Sequence, residues 1–172
     1  LQDPPTAGER VPEAQPPSLP AGGVLMFADG LRFDVGRQLE RVLTAGGLDV
    51  ELHAGCTALP TVTATCKPAV SPIAGKLEAG LEDTSFNPRL AEGGGQLTTH
   101  RFRKLLEEEG YAVLAEGMGD REGRGWVEAG SLDRYGHDQG WKLARRVAEE
   151  VRELADRIND LLDWGWREVT VV

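Results

Sequence analysis

The stretch that decides the fold is Val24-Leu25-Met26-Phe27-Ala28-Asp29-Gly30, a short apolar run followed by an aspartate and a glycine. Such a run is typical of a β-strand buried on both faces, as in a parallel sheet. The carboxylate of Asp29 then falls at the tip of a buried strand, where it is costly unless hydrogen-bonded, paired or bound to a metal. A turn-forming or helix-capping aspartate is the plainer alternative. The stretch predicts a parallel strand with a polar carboxyl end.

The patterns that follow this strand alternate between helix and strand. A helix is predicted over residues 35–44, with Val35, Leu39, Val42 and Leu43 on one stripe and Gly46-Gly47 at its end. Apolar and polar residues alternate over 48–53, which predicts a second strand. A short helix is predicted from Thr63, ending by Pro72.

The second half of the chain continues the alternation after a Gly-rich insertion over 75–100. Thr98 or Thr99 can cap a helix over 100–109. Residues 116–131 are polar and Gly-rich and are predicted to form a loop. The remaining elements predicted are a strand over 111–115, a long amphipathic helix over 138–163 and a last strand over 168–172.

This order of elements predicts an α/β fold, a mostly parallel sheet flanked by helices. Residues 1–22 are rich in proline and poor in large apolar groups, which predicts a disordered linker. Residues 23–172 are long enough for one domain with its own core. In parallel sheets, ligands bind at the carboxyl ends of the strands.

Composition excludes several function classes. The net charge is 19 − 28 = −9, which argues against a broad surface for nucleic-acid phosphates and leaves a local basic cleft open. No apolar run approaches the roughly 20 residues of a membrane span. Two cysteines, Cys56 and Cys66, are too few for a disulfide framework and are interpreted as reduced thiols in a cytoplasmic protein. Dinucleotide-binding, Walker and serine-hydrolase motifs are missing from the sequence.

Three further polar residues are candidates for a site with Asp29. Thr63 lies near a helix start, where a hydroxyl could attack phosphorus while backbone amides hold an anion, although a plain N-cap threonine is the simpler interpretation. Thr57, Thr61 and Thr65 are competitors in the same short segment. Asp133 and His137 are four residues apart, and an oxygen and an imidazole nitrogen suit zinc or manganese. A structural ion pair or cap is the alternative for that pair. His53 and His100 are expected to be structural or surface residues.

Taken together, these motifs resemble those of a known family. Asp29-Gly30-Leu31-Arg32-Phe33-Asp34, then Leu59-Pro60-Thr61-Val62-Thr63-Ala64-Thr65, then Asp133-x-x-x-His137-x-x-Gly140 are similar to the alkaline phosphatase superfamily, and closest to the PglZ domain of BREX phage-defence systems. The similarity runs from about Val24 to Val172.

The resemblance implies a two-metal phosphatase or phosphodiesterase with an alkaline phosphatase-like fold. It implies that Asp29 and Thr63 hold one divalent ion, and Asp133 and His137 the other, with Zn²⁺ expected and Mn²⁺ the alternative. Thr63 would be the nucleophile, favoured over Thr61 by the distance to Ile73-Ala74-Gly75. Arg32 and Lys67 would contact phosphate.

One departure from the family pattern shapes the expectation for this chain. Relatives follow the last strand with an Asp-His pair and a later histidine, whereas this sequence ends at Thr170-Val171-Val172. The chain is therefore expected to be the first part of the catalytic domain, truncated at its C-terminal end. Weak metal binding and little activity are expected of it in isolation.

Three functions follow as hypotheses. The first is metal-dependent hydrolysis of a phosphoester, with nucleic acid, a nucleotide or a phosphoprotein as substrate, in a cytoplasmic anti-phage defence system with other BREX-type proteins as partners. The second is a catalytically incomplete interaction module of such a defence complex. A nucleotide-binding α/β domain is the third and plainest interpretation. No membrane association is expected.

Overall fold

The computed structural model describes residues 16–55, 57–78, 86–114, 119–133 and 143–172. The chain divides into two compact units. The first, which we call the sheet unit, comprises Ser18–His53 and Thr98–Val172. The second, which we call the insert unit, is built around Ala54–Leu97. No helix among the described residues is long and apolar enough to cross a membrane.

The sheet unit alternates strands and helices along the chain. Its elements are β1 (Gly23–Ala28), α1 (Phe33–Ala45), α3 (Thr99–Glu108), β4 (Tyr111–Val113), β5 (Arg124–Ala129), α4 (Leu143–Trp164) and β6 (Glu168–Val171). The insert unit holds α2 (Thr63–Ala69), a 3₁₀ turn (Ala74–Lys76) and an antiparallel pair of two-residue strands, β2 (Leu77–Glu78) and β3 (Arg89–Leu90).

The four strands of the sheet unit form one sheet in the order β4-β5-β1-β6, and every neighbouring pair is parallel. β1 therefore lies between β5 and β6, in register Ala28 with Ala129 on one side and Met26 with Val171 on the other. The α/β prediction of a mostly parallel sheet flanked by helices is confirmed. All carboxyl ends of these strands fall at one edge, because parallel strands run in the same direction.

Alternation along β1 divides the core into two layers. Val24 and Met26 belong to the cluster that contains the buried faces of α1 and α4. Phe27 instead stacks with Trp126 of β5, and Phe102 of α3 meets the same indole edge-on at 5.5 Å between ring centroids. Helices therefore cover both faces of the sheet, which explains why β1 is apolar at every position rather than at alternate ones.

β5 was not predicted, because residues 116–131 were interpreted as a loop. Only Trp126 and Val127 in this strand are large and apolar, and two such residues are too few for a period-2 signal. A β-carbon on Gly125 would lie 3.0–3.3 Å from side-chain atoms of Leu114, Val24 and Trp166. The strand is buried by its neighbours, and its glycine, which resembles a loop signal, makes room for them.

The strand predicted over residues 48–53 is wrong, since none of these residues pairs in a sheet. Leu48 and Val50 are partly buried against the core shared by α1 and α4. The alternation of apolar and polar residues therefore reflects one-sided side-chain packing without a hydrogen-bonded ladder.

The helix predictions agree more closely with the structure. In α1, Val35, Leu39 and Leu43 are buried as predicted, whereas Val42 is 42% exposed. Thr98 caps α3 through a hydrogen bond from the Arg101 amide at 3.3 Å. The buried stripe of α4 contains four residues predicted for it: Val151, Leu154, Ile158 and Leu161. The last strand spans Glu168–Val171 within the predicted 168–172.

The proline-rich segment is described only from Pro16 onward. Leu19 is 5% exposed, and the Gly22 amide donates to the carbonyl of Gly123 at 2.6 Å. The carbonyl of Gly22 in turn accepts from the Arg167 amide at 2.8 Å. The end of this segment is therefore fixed to the sheet unit immediately before β1.

Candidate site at the carboxyl edge of the parallel sheet

The turn that carries Asp29 is packed backbone against backbone on the turn that follows β5. The Asp29 amide donates to the carbonyl of Ala129 at 2.9 Å, which continues the β1–β5 ladder past the last paired residues. Gly130 follows with φ +91°, and a β-carbon there would lie 2.7 Å from the Asp29 nitrogen and 2.9 Å from its oxygen. Only glycine permits this approach, because both atoms belong to the backbone and cannot move aside.

Gly30, on the turn that carries Asp29, makes a second close contact with the turn that follows β5. Gly30 has φ +78°, and a β-carbon at that position would lie 2.9 Å from the Asp133 nitrogen and 3.1 Å from the β-carbon of Leu132. Leu132 is itself 6% exposed and belongs to the core. Asp29 and Asp133, two of the candidate ligands, therefore lie on turns that interlock at the same edge of the sheet. We call these two turns the carboxylate turns, residues 29–30 and 130–133.

The carboxylates differ in exposure. Asp29 is half-buried, whereas Asp133 is exposed in a helical conformation. Each of the two residues also has an interaction partner. His137, the predicted partner of Asp133, lies outside the described residues, so the pair is not tested.

Glu150 of α4 supports the second carboxylate turn and was not predicted from the sequence. Its side chain is 2% exposed, and its two oxygens accept from the Ser131 amide and the Ser131 hydroxyl, each at 2.6 Å. Arg146 lies 3.7 Å away. A signal was present, because position 150 falls three residues after Val147 and four before Leu154, on the buried stripe of α4. The neighbouring Glu149 made the stretch resemble a solvated helix surface.

Arg32, a predicted phosphate contact, is the N-cap residue of α1 and forms an exposed pair with Asp34. Its Nε and Nη2 atoms donate to the two carboxylate oxygens at 2.9 and 2.7 Å. Hydrogen bonds from the guanidinium lower the pKa of Asp34, and the same bonds raise the pKa of Arg32. A phosphate would therefore share Arg32 with Asp34.

Thr63 and Lys67 belong to the insert unit. Thr63 is the first residue of α2, and Val62 is the N-cap, without a side-chain cap. The interpretation of Thr63 as a plain N-cap is therefore wrong, and a helix starting at Thr63 is confirmed. Lys67 follows one turn later on the same helical face. Both side chains are half-buried.

The competing threonines differ in their surroundings. Thr61 is exposed, and the Thr65 hydroxyl donates to the carbonyl of Phe86 at 3.3 Å. Cys66, also in α2, is half-buried, with its sulfur 3.6 Å from the carbonyl of Ala58. Cys56 lies outside the described residues. The Thr65 hydroxyl therefore already has a hydrogen-bond acceptor, whereas the preference for Thr63 over Thr61 comes from the motif resemblance.

Within the described ranges, no three histidine, cysteine, aspartate or glutamate side chains come together as a metal-binding group. His53 is exposed beside Glu51 at 3.4 Å, and His100 is exposed in the first turn of α3. The described carboxylates can supply part of a donor set, with Asp29 and Asp133 on adjoining turns. Of the other predicted ligands, Thr63 lies in the insert unit and His137 lies outside the described residues.

Comparisons with known proteins give no match: no family model, no curated protein and no solved structure is significantly similar to this chain. The candidate site therefore depends on its own geometry and on the motifs of the sequence.

Proposed function

We propose that this chain carries a metal-dependent phosphoric ester hydrolase domain of the PglZ type, in the alkaline phosphatase superfamily. The observation that supports it best is the interlocking of the two carboxylate turns at the edge of a parallel sheet where ligands commonly bind. Carboxylates held on adjoining backbone turns are suited to a divalent cation, and phosphoester chemistry commonly uses such ions. The reaction class comes from the motif resemblance.

In this proposal each residue has one role. Asp29 and Asp133 supply carboxylate oxygens and His137 supplies an imidazole nitrogen, a donor set that suits Zn²⁺ or Mn²⁺. Two such ions, when bound, neutralise charge on the attacking and leaving oxygens. Arg32 and Lys67 offset the charge of the phosphate.

Thr63 is the proposed nucleophile. Its hydroxyl gives up a proton to solvent as Oγ1 bonds to phosphorus, and the bond from phosphorus to the leaving oxygen breaks, with the leaving oxygen taking up a proton from solvent to depart as an alcohol. Water then cleaves the bond between phosphorus and Oγ1, so the threonine is regenerated. The half-buried position of Thr63 at the start of α2 is compatible with this role.

The decisive experiment is Thr63→Ala in the intact protein, assayed with added Zn²⁺ or Mn²⁺ on a phosphodiester and a phosphomonoester. We expect hydrolysis to fall by on the order of 10³-fold or more, with metal content retained. Thr61→Ala is the matched control and should keep its turnover. Unchanged turnover in Thr63→Ala would remove Thr63 from the mechanism, and loss in Thr61→Ala alone would transfer the role to Thr61.

We also propose a cellular setting: anti-phage defence in the cytoplasm, with other BREX-type proteins as partners and a nucleic-acid or nucleotide phosphoester as substrate. This setting comes from the resemblance alone. Its test is co-purification of the intact protein, expressed with its neighbouring genes, against a Thr63→Ala version. We expect the variant to keep its partners and lose protection against phage.

An interaction module is the second candidate function, favoured by apolar groups on the insert unit. Leu59, Val62 and Phe86 are 71%, 40% and 47% exposed, and burying such side chains is a common source of binding free energy. Elemental analysis separates the two functions. About two divalent ions per intact chain would support the enzyme, whereas metal-free protein that loses its partners on Leu59→Ser and Val62→Ser would support the module.

A further inference from the structure

The carboxyl of Glu150 is buried without being part of the proposed catalytic set. A buried carboxylate is costly unless it is hydrogen-bonded and paired. Glu150 meets both conditions through two hydrogen bonds from Ser131 at 2.6 Å and the Arg146 guanidinium at 3.7 Å. Ser131, which donates both bonds, is the first residue after Gly130. The side chain therefore holds the chain at the point where it leaves β5.

The positive charge of Arg146 offsets the negative charge of Glu150. Arg146 also contacts two exposed carboxylates of the same helix. It lies 2.7 Å from Glu149 and 2.8 Å from Glu153, and the hydrogen bond that its guanidinium donates to Glu149 contributes most to raising the pKa of Arg146. Of these three glutamates, Glu150 is the buried one, at 2% side-chain exposure against 59% and 53% for the others. Glu149 and Glu153 contact Arg146 without touching Ser131, so they are matched controls on the same helix.

We infer that Glu150 is a positioning residue: through Ser131 it fixes the turn that carries Asp133 against the turn that carries Asp29. The chain of contacts is continuous, from the Glu150 carboxylate to Ser131, from the adjacent Gly130 to the Asp29 backbone, and from the Asp133 backbone to Gly30. Removing the Ser131 bonds frees the turn at one end while Leu132 stays anchored in the core. The effect on catalysis rests on the proposed function, whereas the effect on the two turns does not.

The first test reads the turns directly, by residue-resolved amide hydrogen exchange at Asp29 and Asp133. In Ser131→Ala we expect exchange at these amides to rise on the order of tenfold beyond the change in global stability, which buried α4 amides report. Ser131→Thr keeps a hydroxyl and should restore slow exchange. Glu150→Gln keeps the volume with one fewer acceptor and should give an intermediate result. Glu149→Gln should match the wild type.

The second test is hydrolysis by the intact protein loaded with Zn²⁺. Ser131→Ala should lower kcat by about 10–100-fold, the usual effect of losing a support behind a metal ligand, with KM nearly unchanged and recovery in Ser131→Thr. Asp29→Asn and Asp133→Asn are measured in parallel to test the proposed function itself.

The outcomes are distinguishable. Unchanged exchange at Asp29 and Asp133 in both Ser131→Ala and Glu150→Gln overturns the positioning role, whatever the activity. Faster exchange with normal kcat, while Asp29→Asn and Asp133→Asn abolish hydrolysis, also overturns it. Faster exchange together with unaffected hydrolysis in all of these variants supports the Glu150 contact with the turn and refutes the proposed function.

Discussion

At the scale of single residues, substitutions at Gly130 and Gly47 distinguish the cost of a strained backbone conformation from the cost of a steric clash. Both have positive φ, +91° and +92°, but a β-carbon on Gly130 would meet the Asp29 backbone, whereas nothing lies within 4 Å of one on Gly47. We expect Gly47→Ala to lower the free energy of unfolding by about 1–2 kcal/mol. Gly130→Ala should cost about 1–3 kcal/mol more, since the neighbouring backbone must move. Denaturant unfolding measures both, and equal losses would contradict the close contact.

A second residue-scale prediction concerns Arg32 and Asp34. Arg32→Gln removes the hydrogen bonds that lower the pKa of Asp34, so that pKa should rise toward its ordinary value in an NMR titration. In the wild type, any stabilisation from the pair is present above the unfolded-state pKa and is lost as pH falls through the lowered folded-state pKa. Arg37→Gln is the control, because Arg37 contacts Glu40 at 3.5 Å instead. An unmoved Asp34 pKa in Arg32→Gln would count against the pair.

At the scale of elements, Phe102 and Leu106 are the buried residues of α3, and Phe102 makes the aromatic contact of this helix with the sheet. Phe102 is 3% exposed and meets the fully buried Trp126 of β5, whose neighbour Phe27 lies parallel at 6.4 Å. We expect Phe102→Ala to lower the free energy of unfolding by about 3–5 kcal/mol, since it leaves a cavity between helix and strand.

Phe33→Ala is the matched control, because Phe33 also lies in a helix but is 58% exposed. Its cost should stay within about 0.5 kcal/mol. Comparable losses for Phe33→Ala and Phe102→Ala, measured in urea, would show that the aromatic contact of α3 contributes little. If Phe102→Ala does not fold, Phe102→Leu gives the same ordering with a smaller cavity.

At the scale of the whole molecule, the net charge of −9 bears on the partners of the proposed enzyme. Binding to duplex DNA releases about one counterion for each phosphate that the protein neutralises, so it weakens steeply with salt. We expect fluorescence anisotropy with a short DNA duplex to show weak binding. The logarithm of the binding constant should fall only slightly as the logarithm of the salt concentration rises, with a slope that corresponds to fewer than about three neutralised phosphates. Tight binding with a steep salt dependence would reveal a basic cleft and favour nucleic acid over a nucleotide as the substrate.

The sequence by itself determined the local features of this protein. Continuous apolarity marked β1, helical periodicity marked α1 and α4, and Thr98 and the glycines at 46–47 and 110 marked helix ends. These signals are local, because they arise from side-chain spacing and backbone freedom within about two turns of chain. Asp29 was identified as a candidate in the same way, as a carboxylate directly after a buried strand.

The tertiary structure alone decided the rest. β5 is a strand because β1 and β4 pair with it, residues 48–53 pack on the core without pairing in a sheet, and Glu150 is buried where Ser131, just after β5, donates to its carboxylate. Each depends on residues distant in sequence, so no periodicity within the segment could report it. The same reason applies to the carboxylate turns: glycines at 30 and 130 are ordinary turn residues in the sequence, and only the parallel register of β1 and β5 makes them the contact that brings the Asp29 and Asp133 turns together.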